Sequence, residues 1–217
     1  MSDSVLEEKP KDREVGGRRE AILVAATSLF SECGFNDADT QALAERLGVG
    51  KGTLYRCFAS KRELFLAAVD RAVRQLHERL QRSTEGVEDP LERVTNGVRA
   101  YLEFFAEHPE FVELIMQERA LFKDRKRPTF FEYRDRQAHI WRTLYSQLIE
   151  AGRVRPMPVD RIRDVMGQVL YGTVFTNYFA GQAKTPEQQA REIIDVVFHG
   201  ILSESERLRM PTFDEAD

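Results

Sequence analysis

One short stretch of the sequence concentrates side chains that can bind a nucleic acid duplex. From Arg46 to Arg62 every charged residue is cationic, and no acidic residue interrupts the run. Lys and Arg neutralise phosphates or bond guanine, Thr bonds a base edge or touches a thymine methyl, and Tyr donates its hydroxyl to a phosphate. Glycine lets a backbone approach the duplex closely. The residues expected to contact DNA are Thr40, Lys51, Gly52, Thr53, Tyr55, Arg56 and Lys61.

The elements that must position these side chains are two short helices joined by a tight turn. Asp39 is expected to cap the first helix, over about residues 40–47, and the turn is Gly48-Val49-Gly50. The second helix, over about residues 51–57, would enter the major groove as in a helix-turn-helix. Apolar residues would pack this pair on its neighbours: Leu43, Ala44, Leu47, Val49, Leu54 and Phe58. Many such pairs in helical proteins only pack, so spacing alone leaves DNA binding open.

Helical signals run through the rest of the chain. An apolar stripe begins at Ile22, and Gly34 is expected to end that helix. Ser60 with Glu63 has the capping-box form and begins a fourth helix, to about Arg82. Further helices with proline near their first position are expected over about 90–107, 109–123, 128–151, 158–181 and 186–208. Because no period-2 alternation appears, the chain is predicted to be all-α, with about nine helices.

The order of these helices predicts the domain organisation. We expect residues 1–17 to be a disordered arm, because Pro10 and two adjacent glycines discourage regular structure. A three-helix helix-turn-helix domain would span residues 18–63, and a helical ligand-binding and dimerisation domain would span residues 64–209. Residues 210–217 would be a disordered tail.

Composition restricts the class of protein. The 217 residues are 42% hydrophobic and 31% charged, as in soluble globular proteins. No apolar run approaches the roughly 20 residues that a membrane span needs. The polar N-terminus lacks a signal peptide, so a cytoplasmic protein is expected. A net charge of −4 argues against coating nucleic acid through bulk charge, so DNA binding must rest on a local patch.

The two cysteines, Cys33 and Cys57, show neither metal-binding spacing nor a CxxC motif. In a reducing cytosol they are expected to be free thiols. A redox role for either one stays open as an alternative.

The stretch from about Arg18 to Val69 resembles the DNA-binding domain of the TetR family. Gly50, Cys57 and Asp39 depart from the pattern, which has serine, histidine or tyrosine, and threonine or serine at these places. The resemblance implies that helices one to three read DNA, that helix four connects them to a ligand-binding domain, and that the protein is a homodimeric repressor. The matching residues are Leu29-Phe30, Gly34-Phe35, Leu43-Ala44, Leu47-Gly48-Val49, Lys51-Gly52-Thr53-Leu54-Tyr55, Phe58, Ser60-Lys61 and Leu64.

The C-terminal region is rich in aromatic residues, most of which are expected to pack in a core. A pocket between helices is typically apolar with a few polar groups. Its predicted lining is Phe105, Leu114, Phe131, Trp141, Tyr171 and Phe175, with Glu118 and Arg134 orienting a polar group of a partly hydrophobic effector. Both charged residues are also typical of a solvated face.

The last two helices are expected to form the dimer contact. Their apolar band is wider than burial on one side requires, and two glycines permit close helix approach. The predicted contact residues are Gly167, Gly172, Thr176, Ile194, Val197, Phe198 and Ile201. Two-fold symmetry would place the reading helices roughly 34–36 Å apart on a palindromic operator. Effector binding would shift helix four and weaken DNA binding.

Two other functions compete with this prediction. An enzyme is disfavoured because no HExxH motif, phosphate loop or nucleophile elbow occurs, and neither a metal nor a cofactor is expected. Glu132, Asp135 and His139 share a helix face, but such a pattern favours a solvated surface over a metal site. A helical protein–protein adaptor without DNA binding is the second alternative.

Overall fold

Ten helices and no strand make up the part of the chain that the computed structural model describes, residues 10–200. The all-α prediction is therefore confirmed, with one helix more than the nine expected. The helices are α1 (Pro10–Asp37), α2 (Thr40–Arg46), α3 (Lys51–Cys57), α4 (Lys61–Thr84), α5 (Pro90–Glu107), α6 (Glu110–Leu121), α7 (Thr129–Arg136), α8 (Ala138–Glu150), α9 (Val159–Ala180) and α10 (Pro186–His199).

The first helix is longer than the sequence predicts. It begins at Pro10, so residues 10–17, expected to belong to a disordered arm, form its first turns. Proline is tolerated there because the first N–H groups of a helix have no partner within it. Gly34 interrupts the helix where predicted, with φ 75° and ψ 163°, a conformation that residues with a Cβ rarely adopt. Residues 1–9 lie outside the described part.

The single helix predicted over residues 128–151 is two helices, α7 and α8. Gln137 separates them with φ −93° and ψ 1°, a turn-like backbone. Its N–H donates to the carbonyl oxygens of Asp135 and Tyr133. Neither glycine nor proline marks this break, which explains why the sequence pattern runs through it.

The last helix ends earlier than predicted. It stops at His199, and Gly200 follows with a φ of 77°, whereas the pattern predicts helix to about Leu208. Glycine takes a positive φ without the steric penalty of a side chain, so it ends a helix readily. Residues 201–217, with Ile201 and the predicted tail, lie outside the described part.

Helix starts follow the predicted caps closely. The Asp39 carboxylate accepts the Gln41 N–H at 2.7 Å, and the Ser60 hydroxyl accepts the Glu63 N–H at 3.1 Å. Thr185 at the start of α10 makes a full capping box with Gln188. Each cap satisfies an N–H group that the helix itself leaves unpaired, which stabilises it by about 1 kcal/mol.

Helix α4 joins the two halves of the molecule. Near its start, the Phe65 ring lies 5.1 Å from Phe30 of α1 and 5.4 Å from Phe122 after α6. Near its end, the Arg79 guanidinium bonds the carboxylates of Glu103 and Glu107 on α5. The same rigid helix therefore touches the N-terminal helices and the C-terminal bundle.

A close contact between α5 and α8 holds the single tryptophan. A Cβ atom built at Gly97 would lie 2.4 Å from the Cη2 atom of Trp141, so only glycine leaves room for the indole in this position. The indole is half-buried beside α4 and α5.

We expect Gly97→Ala to lower the free energy of unfolding by about 1 kcal/mol or more, because the added methyl overpacks the site. Replacing glycine by alanine within a helix normally raises stability by about 0.5–1 kcal/mol. A lower free energy of unfolding for Gly97→Ala would therefore be opposite in sign to the effect of helix propensity. Urea unfolding measures the change, and Trp141 fluorescence reports the displaced ring.

The matched control is Gly52→Ala in α3, where a Cβ would meet nothing within 4 Å. Its stability should be unchanged or slightly higher. Equal behaviour of the two variants would contradict the steric argument.

Candidate DNA-binding surface and effector cavity

Helix α3 buries one side and exposes the other. Leu54 is 1% exposed and packs in the N-terminal core, together with Phe58 just after the helix. Lys51, Gly52 and Arg56 are exposed on the opposite side. We call this opposite side, with the half-buried Thr53, the reading face. The turn before α3 is as predicted, with Gly48 at a φ of 64°.

The reading face carries positive charge that the protein itself does not neutralise. Neither Lys51 nor Arg56 forms an ion pair with any residue in the described part, although most arginines of the C-terminal helices do. Arg56 donates only to the Thr53 hydroxyl, at 3.3 Å. Both cations are thus available for an external anion, and phosphates are the anions that a protruding helix of this kind meets in DNA.

Tyr55 and Thr40 join the two helices of the motif. The Thr40 hydroxyl and the Tyr55 hydroxyl lie 3.0 Å apart, in a hydrogen bond in which either one can donate. Thr40 is buried, so the structure places it in an internal contact and not on the free surface expected for a DNA ligand. This bond fixes the start of α2 against the middle of α3.

Lys61 is also engaged within the protein. Its ammonium donates to the Asn36 carbonyl oxygen at 2.9 Å and lies 5.1 Å from the centre of the Phe35 ring. The contact holds the start of α4 against the end of α1. An ammonium has three donors, so one hydrogen bond to Asn36 leaves two for a phosphate.

A single glutamine clamps the N-terminal helices to the C-terminal bundle. The Gln117 side chain on α6 donates to the Phe30 carbonyl at 2.9 Å and accepts the Phe35 N–H at 2.9 Å. These two backbone groups flank Gly34, where α1 departs from helical geometry. Sequence reasoning missed Gln117, because nothing in its local pattern reveals a partner more than 80 residues away.

A cavity of about 870 Å³, counted with its open mouth, lies between α4, α5, α7, α8 and α9, and we call it the effector cavity. Within it, about 120 Å³ can hold the centre of a water-sized molecule. The apolar part of its wall is Leu76, Leu80, Val94, Val98, Phe130, Ala138, Met166 and Leu170. The polar part is His77, Tyr101, Arg134, Gln137, Trp141, Tyr145 and Arg163, and no acidic residue lines it.

Of the predicted lining residues, Arg134 and Trp141 are on this wall. Phe131, Tyr171 and Phe175 instead form an aromatic cluster beside it, joined to the lining residue Phe130. Aromatic residues suit a core and a cavity equally, so their type alone does not distinguish the two.

The other three predicted lining residues are wrong for this cavity. Phe105 lines a separate small pocket beside Pro109, and Leu114 is fully buried in the core. Glu118 is 1% exposed, and its carboxylate accepts the N–H and the hydroxyl of Thr129 at 3.1 and 2.8 Å. Glu118 is therefore the cap of α7, and the charge of Arg125 at 3.2 Å balances it.

Trp141 also lines a second cavity of about 720 Å³, on the side facing α4 and the middle of α8. His77, Leu80 and Gln137 border both spaces. The indole and its neighbours therefore form a partition between two openings.

Helix α9 leaves an apolar stripe uncovered. Val165, Gly172, Thr176 and Phe179 are all exposed, Phe179 by 69%, and their spacings of seven, four and three residues place them on one helix face. Gly167, predicted for the same contact, lines the effector cavity instead.

The predicted contact residues of α10 are only partly available. Ile194, Val197 and Phe198 are half-buried against the protomer's own core, where α10 packs on α5. Val196 is the exposed apolar residue of this helix, 49% exposed. The wide apolar band of α10 therefore serves the internal core as well as an outer face.

The described residues contain no group of three or more His, Cys, Asp or Glu side chains that could hold a metal ion. Asp135, one of the three residues considered for a metal, pairs with Arg127 at 2.7 Å. Cys33 and Cys57 are free thiols. No helix within residues 10–200 is long and apolar enough to cross a membrane.

Two family models match this chain, one in its N-terminal part and one in its C-terminal part. Residues 22–68 match the family model of bacterial regulatory proteins of the tetR family, and residues 87–201 match that of the tetracyclin repressor-like C-terminal domain. The first model covers the reading face and the start of α4, and the second covers the α5, α7, α8 and α9 residues of the effector cavity. Residues 69–86, which contain the rest of α4, lie between the two matched segments. The chain belongs to the TetR family, and it is a DNA-binding transcriptional regulator.

Individual relatives agree with this assignment. The transcriptional repressor KstR2 of Mycobacterium tuberculosis is 26% identical over 195 residues, covering 88% of this chain and 96% of the relative. The solved structure of that ketosteroid transcriptional regulator covers 86% of this chain and 96% of its own, with a TM-score of 0.61. The fatty acid degradation regulator FadR of Bacillus halodurans, 15% identical, shares the fold over 90% of this chain and 98% of its own, with a TM-score of 0.74.

The histidine in the cavity wall gives the protein a pH-dependent stability. Burial lowers the pKa of His77 below its usual 6.5, and its Nδ1 lies 3.0 Å from the Val73 carbonyl. Nδ1 must donate there, because a carbonyl only accepts. Above pH 6.5 the ring is neutral in both the folded and unfolded states. Below pH 6.5 the His77 ring becomes protonated in the unfolded chain before it does in the folded chain. The free energy of unfolding therefore decreases as the pH is lowered.

We expect His77→Gln to remove part of this dependence. The wild type should lose more of its free energy of unfolding than the variant between pH 7 and pH 5, by at most about 1.4 kcal/mol per pH unit. Urea unfolding across this range measures the difference. His139→Gln, which replaces an exposed histidine, should keep the wild-type slope, and a variant His77→Gln with that same slope would refute the assignment.

Proposed function

We propose that this protein is a homodimeric repressor that binds a near-palindromic operator through the reading face of α3 and leaves it when a partly apolar small molecule enters the effector cavity. The observation that carries the proposal is the outward presentation of Lys51 and Arg56, without ion-pair partners in the described chain, on a helix anchored by the buried Leu54. The repressor KstR2, which aligns with nearly the whole chain, supports the sign of regulation.

The residues that act on DNA have two kinds of role. Lys51, Gly52, Thr53 and Arg56 approach the duplex directly, Gly52 by leaving space for the backbone. Tyr55 is half-buried and positions α3 through its bond to Thr40. Thr40 therefore has a positioning role. Lys61, at the start of α4, lies at the border of the reading face.

The exposed stripe of α9 supports a dimer. A large apolar side chain that is 69% exposed, as Phe179 is, is stabilised when a second copy covers it. Gly172 and Thr176 between the apolar positions permit close approach of two helices. A two-fold axis at α9 and α10 would repeat the reading face once per duplex turn, roughly 34–36 Å away.

Two contacts support coupling between the cavity and the reading face. Leu76 and His77 of α4 line the effector cavity, while the start of α4 packs on α1. Helix α7, with Phe130 and Arg134 on the cavity wall, is capped by Glu118, and the adjacent Gln117 holds α1. Movement of either helix would reach the spacing of the two reading faces, and a coupling of about 1–3 kcal/mol changes affinity roughly 5–150-fold.

Selection of random duplex DNA against the purified protein tests the proposal and yields the operator. With that operator, Lys51→Ala should weaken binding, and the slope of log affinity against log salt should fall by about 0.9 for each phosphate that the variant leaves unneutralised. Fluorescence anisotropy at several salt concentrations measures both quantities. Lys184→Ala, which removes a lysine paired with Glu192 far along the chain, is the matched control and should change neither.

The alternative of a helical adaptor without DNA binding makes the opposite prediction. It requires that selection returns no enriched sequence and that Lys51→Ala has no effect. Either a flat salt slope or equal binding by Lys51→Ala and Lys184→Ala would therefore contradict the proposed reading face.

Gln117→Leu tests the clamp between the two halves. The substitution leaves the Phe30 carbonyl and the Phe35 N–H without their partner, at a cost of about 1–3 kcal/mol. We expect faster hydrogen exchange at the Phe35 amide and weaker operator binding. Gln147→Leu on the exposed side of α8 is the control. If exchange at Phe35 is unchanged, the clamp does not hold α1.

A further inference from the structure

The wall of the effector cavity contains hydrogen-bonding groups that the protein leaves unused. Tyr101 and Tyr145 are 8% and 2% exposed, and neither hydroxyl bonds a described residue. Among the described residues, the only fully buried side-chain nitrogen or oxygen without a hydrogen bond is Nε of Arg125, which is ion-paired with Glu118. Both tyrosine oxygens therefore keep some exposed surface. Because both residues line the cavity, their hydroxyls open into it. A buried hydroxyl without a partner is unfavourable, unless a ligand supplies the acceptor.

These hydroxyls are donors at neutral pH. Burial raises the pKa of Tyr101 and of Tyr145 well above the usual 10, so both stay protonated. Arg134 lines the same cavity as both tyrosines. A cation and a donor thus face the same space.

Arg134 differs from the other arginine of the wall. Arg163 is held by Asp164 at 2.8 Å and by Asp160 at 3.1 Å. The nearest carboxylate to Arg134 is that of Asp135, at 3.8 Å, and Asp135 itself pairs with Arg127 at 2.7 Å. The Arg134 guanidinium lies over the Phe131 ring, 4.9 Å from its centre, and this exposed side chain donates no hydrogen bond to a described residue.

We propose that the effector is the anion of an apolar carboxylic acid. Its carboxylate pairs with Arg134 and accepts a hydrogen bond from a tyrosine hydroxyl of the wall, while its apolar body lies among Val98, Phe130 and Met166. This assignment of ligand class rests on the proposed function, because it takes the cavity to be the regulatory site. The absence of any acidic residue among the lining residues favours an anion over a cation.

Trp141 fluorescence can report the binding of a small molecule to the cavity in the absence of DNA. It is the single tryptophan of the chain and lies in the cavity wall, so its fluorescence responds to a molecule placed there. Titration of the full-length protein therefore measures affinity directly. Two body shapes are used, each as an acid and as the matching neutral alcohol: decanoate with 1-decanol, and 1-adamantanecarboxylate with 1-adamantanemethanol.

For at least one body shape, the acid should bind about tenfold or more tightly than its alcohol at pH 7.5, as a charge-assisted hydrogen bond implies. Arg134→Met should reduce this ratio to about one and leave the alcohol affinity unchanged. Arg163→Met, the matched control on the same wall, should keep the wild-type ratio. Equal binding of acid and alcohol in both pairs, or no response to any of the four probes at 1 mM, would overturn the proposal.

The tyrosines provide a second readout. Tyr101→Phe or Tyr145→Phe should weaken acid binding about three- to tenfold while leaving the urea midpoint unchanged or higher, because an unpaired hydroxyl is removed from the wall. If both variants bind the acid as the wild type does, the hydroxyls are not used and this part of the proposal is wrong.

Operator affinity, measured with and without each probe, distinguishes the proposed ligand class from the proposed regulatory role of the cavity. Tight acid binding with no change in operator affinity would refute the effector role but keep the ligand class. Release from the operator by acid and alcohol alike would keep the effector role and refute the ligand class.

Discussion

The burial of one helix, α4, against both the N-terminal helices and the C-terminal bundle is the constraint on which the rest of the structure depends. Phe65 near its start packs in an aromatic cluster with Phe30 and Phe122, whereas Leu76, less than four turns later, borders an open cavity. A helix is stiff along its axis, so a displacement at one end is transmitted to the other with little attenuation. The cavity and the reading face are therefore mechanically connected without any residue that touches both.

The second connection works by hydrogen bonds instead of packing. Gln117 holds the Phe30 carbonyl and the Phe35 N–H on either side of Gly34, where α1 departs from helical geometry. Its neighbour Glu118 caps α7 from the same helix turn. Because α6 carries both contacts, it ties the end of α1 to the start of α7, and in the proposed mechanism a ligand beside α7 would act on both.

The sequence predicts those parts that local chemistry controls. Asp39, Ser60 and Thr185 cap their own helices through residues two or three positions away, so the boundaries of α2, α4 and α10 at their N-termini are predicted correctly. The reading face is found for the same reason, since Leu54 and Arg56 point to opposite sides of a short helix. The break at Gln137 is missed because no local residue demands it.

Most of the residues that line the effector cavity cannot be predicted from the local sequence. Whether an aromatic ring such as Phe105 or Tyr101 faces the core or an opening depends on how helices distant in sequence cross, and residue type does not encode that. Arg134 and Trp141 are found because a cation and an indole in an apolar region need a special environment. Gln117 and Gly97 act on partners far along the chain, so only the folded structure reveals them.

The partition between the two cavities has an evolutionary consequence. Trp141 occupies its place because position 97 has no side chain, so the residue at one of these positions limits which residues fit at the other. A smaller residue at 141 would open a passage into the neighbouring space and admit a longer guest, while a larger one at 97 would narrow the entrance. Substitutions at this one pair would change the size of ligand that the fold accepts without changing the helices that bind the operator.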